Sequence, residues 1–174
     1  MILNIKRLGV PAVAAAVTSA LTLLAPMLVF AQNPNFVGGT PIINKTISID
    51  NATLTVSGKV AGLGNQVTAV YLTTSGVAAE TVCQNNDGNN NNNPPGQTAT
   101  FGPTTGQIQY IPPRNGQITF NDTAPLSITV TAAQIDCPAG MTALISSATF
   151  YNVTLYVQQV GTTLTYNFGN LANP

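Results

Sequence analysis

Histidine and tryptophan are both absent from this chain, and only 6% of its 174 residues are charged. Without an imidazole, no Ser-His-Asp or Cys-His arrangement can be assembled, and no histidine is available as a metal ligand. Lysine and arginine number only 5 and are scattered, so the clustered positive charge that nucleic acid requires is missing. Cysteine occurs only at positions 83 and 137. Outside the N-terminal segment, no stretch repeats apolar residues every 3.6 positions, so amphipathic helices are not expected.

The N-terminus carries Lys6-Arg7 and then an apolar stretch, Leu8 to Ala31, closing on Val29-Phe30-Ala31. A basic start, an apolar middle and a small-x-small ending form a secretory signal, which predicts cleavage between Ala31 and Gln32. A stretch of this length would also suffice for a membrane anchor. Pro11, Pro26 and the cleavage-like ending favour removal, leaving no stable membrane span. The mature chain then carries Lys45, Lys59 and Arg114 against Asp50, Glu80, Asp87, Asp122 and Asp136, a net charge of 3 − 5 = −2. In an exported chain Cys83 and Cys137 are expected to form a disulfide. Closing so long a loop stabilises the fold by roughly 4 kcal/mol on the loop-entropy account.

Residues 32–41 read as a flexible lead-in, with Gly38-Gly39 and two prolines. Residues 42–174 read as one domain, in which apolar and small polar residues alternate with period two. Strands are expected at 43–49 and 54–57, at 67–74 and 77–83, at 107–111 and 117–120, at 126–131, and through most of 142–168. Ser75-Gly76 is expected to turn one hairpin, and Asn115-Gly116 another. Between them, Gln84 to Gln97 holds a run of Asn followed by Pro94-Pro95-Gly96, and a low-complexity loop is expected over 84–100. Eight to ten short strands at this spacing indicate an all-β, antiparallel β-sandwich, immunoglobulin-like or Greek-key, with one disulfide. The antibody version is excluded, because there is no Trp to pack on the disulfide and Ile135 stands where the corner tyrosine would be.

The five acids lie mostly at turn-like positions, where capping and solubility explain them, so no catalytic residue is expected. Asn85, Asp87 and Asn89 offer oxygens for calcium, but with one carboxylate and no closing Glu the ligand set is short, and no cofactor is expected. Four N-x-[ST] sequons, at Asn44, Asn51, Asn121 and Asn152, matter only in a pathway that glycosylates them. Tyr71, Tyr110, Tyr151, Tyr156 and Tyr166 remain as strand residues able to stack on and hydrogen-bond sugars, with Tyr71, Tyr110 and Tyr156 the candidates for binding. Sheet edges with few charges invite pairing between copies, and Thr46 to Val56 is the expected segment.

The order Gly62-Leu63-Gly64-Asn65, Cys83, an Asn-rich loop ending Pro95-Gly96-Gln97, Asn115-Gly116, then Cys137-Pro138 before a Thr-rich closing hairpin resembles small secreted, mainly bacterial β-sandwich proteins. The resemblance implies export and a fold; it supplies no activity. The expectation is therefore a non-enzymatic secreted or cell-surface protein, a structural or adhesive component of an envelope or extracellular matrix. The alternative is a carbohydrate-binding module, and a small secreted hydrolase ranks third. Partners would be other copies through sheet edges, or extracellular polysaccharide. The intact mass of the native protein, with and without reductant, should correspond to a chain starting at Gln32 that gains only the hydrogens of one reduced disulfide. A mass that includes residues 1–31 would show that the segment is kept.

Overall fold

The computed structural model describes residues 33–85 and 94–172. The expected signal segment and its Ala31-Gln32 cleavage site lie outside these residues, as do Asp87 and Asn89. The strands are β1 (Asn35–Phe36), β2 (Ile42–Ile47), β3 (Asn51–Ala61), β4 (Thr68–Thr74), β5 (Gly76–Asn85), β6 (Ala99–Phe101), β7 (Thr104–Thr105), β8 (Gln109–Ile111), β9 (Gln117–Thr129), β10 (Met141–Gln159) and β11 (Thr162–Leu171). All pair antiparallel.

In the first sheet β3 is central, with β1 and β2 along one edge and β9 along the other. In the second, β10 is central. Its residues 141–151 pair with β5 and 154–158 with β4, while β11 follows its opposite edge. Beyond β4 and β5 lie β8, β7 and β6. If each interrupted run counts as one strand, the first, second and fifth form one sheet and the third, fourth, sixth and seventh the other. Immunoglobulin-type sandwiches distribute A, B and E against C, F and G in this way. Here a C′ strand is added to the second sheet, and no D strand occurs among the described residues.

Alternation decides the faces. Leu54, Val56, Phe120 and Leu126 from the first sheet meet Leu72, Phe150, Leu155 and Val157 from the second, and all are buried. Their neighbours in sequence are threonines, serines and asparagines on the wet faces, the period of a half-buried strand.

Three expectations are corrected. Ser75-Gly76 is not a hairpin turn: β4 and β5 run in the same direction along β10, and Ser75 is a break within a single path. Its backbone N–H and the Thr74 hydroxyl both donate to the Tyr151 carbonyl, at 3.0 and 2.7 Å. Two β-branched runs around a small residue look like a hairpin locally, yet the nineteen-residue β10 holds them in line. Asn115-Gly116 does form the expected tight turn, with φ of 51° and 69° and Arg114 bonded to Gln117 on both sides. The strands then part, β8 to β4 and β9 to β3, so this turn carries the chain between sheets. Thr46 to Val56 is no free edge, because its β3 half is paired on both sides.

Segments 117–120 and 126–131 belong largely to one strand, β9, which crosses two bulges between them. Asp122 and Ala124 sit there at φ of 44° and 53°. The Asp122 carboxylate accepts from Asn44 Nδ2 at 2.7 Å and Thr55 Oγ1 at 3.2 Å, fixing the bulged backbone against its neighbours.

Cys83 and Cys137 are bonded, with Cα atoms 5.6 Å apart. The bridge joins β5 to the 3₁₀ turn Ala132–Ile135 and the residues after it, and Ile135 is buried at that end of the core. The segment that closes the Asn-rich loop is zipped to β5: Cys83 N–H donates to the Pro94 carbonyl at 3.0 Å and Gly96 N–H to the Thr81 carbonyl at 2.8 Å. Gln84 and Asn85 continue β5 and Ala99 opens β6, so the loop is shorter than the sequence pattern suggests. Asn35–Phe36, within the expected lead-in, pairs with Val60 and Ala61.

The opposite end is held by one buried amide. Gln159 accepts from Gly64 N–H at 2.9 Å and donates to the carbonyls of Gly64 and Gln66, pinning the crossing from β3 to β4. Gln159→Ala should leave these backbone groups without partners and lower stability by about 1–3 kcal/mol. Denaturant unfolding measures this. Loss in the same range on Gln159→Glu would show that the amide donor, not side-chain volume, is what matters.

Candidate binding surface

Residues directly opposite on neighbouring strands point to the same face. Tyr71 on β4 lies opposite Tyr156 on β10, and Thr165 on β11 lies opposite Tyr156. One row along, Tyr110 on β8 lies opposite Ala69, which lies opposite Gln158. Leu72 and Leu155, the sequence neighbours of Tyr71 and Tyr156, are buried, so both tyrosines face outward. The three tyrosine candidates from 71, 110 and 156 therefore share the outer face of the second sheet.

The rings of Tyr71 and Tyr156 stack with centroids 5.0 Å apart and planes 4° from parallel. The Tyr71 hydroxyl donates to Gln158 Oε1 at 3.3 Å. Tyr110 is 69% exposed, more than a side chain needed for the core would be. Strand spacing and rise place it on the order of 12 Å from Tyr156. The surrounding positions are Thr73, Thr154, Thr163, Thr165 and Asn167, so the patch combines aromatic carbon with hydroxyl and amide groups and carries no charge.

Tyr166 and Tyr151 do not join it. Tyr166 is turned to the opposite face, edge-on to Phe36 at 5.8 Å and to Phe168 at 4.9 Å. Tyr151 lies opposite Gly76, in the irregular stretch of β10 between the Phe150–Leu171 and Val153–Gly169 pairs. The cause is parity, since position 166 has the same alternation as Leu164.

Asn85 of the calcium candidates is within β5 opposite Met141, while Asp87 and Asn89 lie outside the described residues. Among the described residues, no three His, Cys, Asp or Glu side chains gather where they could hold a metal ion. The described acids serve local structure. Glu80 accepts from Ser147 at 2.9 Å, Asp136 accepts from Gln97 at 3.0 Å, and Asp122 braces its bulge. Of the sequon asparagines, Asn44, Asn51 and Asn152 donate their amides to Asp122, Thr129 and Ser75. A groove of about 340 Å³ lined by Lys59, Ile111, Pro112, Arg114, Gln117 and Thr119 lies between the first sheet, the end of β8 and the Asn115-Gly116 turn. Lys45 is half-buried at the edge of the first sheet, and desolvation lowers its pKa below 10.5.

Fold and surface together define a class: a disulfide-tied, immunoglobulin-type β-sandwich with an uncharged tyrosine patch on the outer face of its second sheet. Compared with known proteins, the chain matches no family model, no curated protein and no solved structure.

Tyr156→Ala should abolish the ring–ring coupling in near-ultraviolet circular dichroism. It should cost about 1–3 kcal/mol of stability, the worth of the aromatic pair together with the burial of a half-buried ring. A larger loss would assign the pair to the core.

Proposed function

We propose that this is an exported, non-enzymatic adhesive protein of an envelope or extracellular matrix, and that the outer face of its second sheet holds polysaccharide. One observation carries the reading: Tyr71, Tyr156 and Tyr110, far apart in sequence, share one exposed face among threonines, Asn167 and Gln158. Sugar rings present C–H faces that settle on aromatic rings and hydroxyls that pair with Thr, Asn and Gln. The absence of charge from the patch favours a neutral chain over an acidic one. A long open face, rather than an enclosed pocket, suits a polymer that runs past it. The resemblance to small secreted bacterial β-sandwich proteins and the predicted signal segment support an external location.

Electrophoresis through gels containing neutral polysaccharides tests the proposal. Migration should be retarded by at least one of them, and Tyr71→Ala or Tyr110→Ala should weaken retention by about tenfold, equivalent to some 1.4 kcal/mol. Free migration through a broad panel of soluble polysaccharides, or retention unchanged by both substitutions, would remove this function.

A further inference from the structure

A two-sheet sandwich has four long edges, and three of them are guarded. At β2, the half-buried Lys45 turns inward and donates to the Ala148 carbonyl at 3.1 Å. At β9, two bulges and Pro125 interrupt the ladder, and the Pro125 carbonyl is taken by Gln107 N–H at 2.9 Å. The edge formed by β6, β7 and β8 is broken into pieces of 3, 2 and 3 residues, with Pro103 between two of them and Pro112-Pro113 after the last. Inward charge, bulge, proline and brevity are the devices by which natural sheets avoid pairing with one another.

Over residues 162–167 β11 has none of these devices, and its ladder with β10 turns irregular only beyond them, where Gly169 sits at φ 73°. The strand's 10 residues, TTLTYNFGNL, contain no charge and no proline. Among the described residues, no strand pairs with its outer edge. The two-residue loop Val160-Gly161 makes Gln159–Thr162 a hydrogen-bonded pair. By alternation, Thr163, Thr165 and Asn167 then direct their backbone N–H and C=O groups away from β10, toward open space.

We infer that β11 pairs antiparallel with β11 of a second copy, joining two sandwiches into a closed two-fold dimer through one continuous sheet. The strand suits its own copy. It brings no like charges into opposition, and its alternation places Leu164, Tyr166 and Phe168 beside their counterparts on the core side. These three are only half-buried in the single chain, so a second copy adds cover where cover is short. The exposed Thr163, Thr165 and Asn167 stay on the wet face. Two-fold pairing uses the unguarded edge of both copies at once, so growth stops at two. The joined sheet sets both tyrosine patches on one surface, where a single polymer can engage them together. The dimer itself does not depend on the polysaccharide reading.

Sedimentation equilibrium of the protein, produced with its own N-terminal segment and purified as processed, tests the inference. The protein should behave as a dimer. Thr165→Pro, which removes an outward N–H, and Thr163→Lys, which adds the edge charge that discourages strand pairing, should each raise the dimer dissociation constant roughly tenfold or more. Melting temperature and circular dichroism identify any variant that has lost its fold; if proline at 165 is not tolerated, lysine at 163 carries the test. A wild-type monomer at high concentration, an open-ended polymer, or a dimer that survives the folded variants would overturn the inference.

Discussion

The constraint on which this sandwich depends is the length of β10. Its 19 residues accept partners along both edges, with β5 and then β4 on one side and β11 on the other. A strand of that length must twist, and the bulge after Ile145 and the irregularity before Val153 each move the inward-facing set by one residue, from Ile145 to Ala148 and from Phe150 to Val153. Phe150, Leu155 and Val157 are thereby kept in the core on both sides of the break at Ser75. Every other strand of the second sheet is placed by β10 directly or through β4 and β5.

The two ends of the sandwich are closed by different means. At one end the Cys83–Cys137 bridge, the 3₁₀ turn and the zipped residues 94–97 form a covalent and hydrogen-bonded plug around Ile135. Gly96 belongs to this plug for a steric reason: a Cβ there would run into the Thr81 hydroxyl and the Ile135 side chain. At the other end a single buried glutamine satisfies the crossing loop. The Asn-rich run that follows Cys83 is therefore anchored at both of its ends, whatever its middle does. A chain with so few charges relies on such neutral hydrogen bonds where other proteins would place ion pairs.

Much of the fold was legible from residues 42 onward because period two survives in nearly every strand. The buried and exposed sets of β3, β9 and β10 follow the alternation of Leu, Val, Ile and Phe with Thr, Ser and Asn. The Asn115-Gly116 turn was equally legible, since both residues accept positive φ. The hairpin at Ser75-Gly76 was misread because a break and a turn have the same local composition. What separates them is a distant strand, β10, which competes for both flanks. The bulges at Asp122 and Ala124 left no signal in sequence, as neither residue is a glycine.

For the candidate surface, composition alone indicated five tyrosines on strands, without charge around them. Parity within one strand determined which way each must face relative to its neighbours. Which tyrosines meet was decided only by the register between strands: residue 71 against 156 and residue 69 against both 110 and 158. That register depends on core packing across the whole domain, a sum over contacts that no local segment contains. The sequence by itself determined the disulfide partners, the strand chemistry and the neutral surface. Tertiary structure decided that Tyr71, Tyr110 and Tyr156 share a face and that β11 is the unguarded edge, because both are properties of neighbours brought together only by folding.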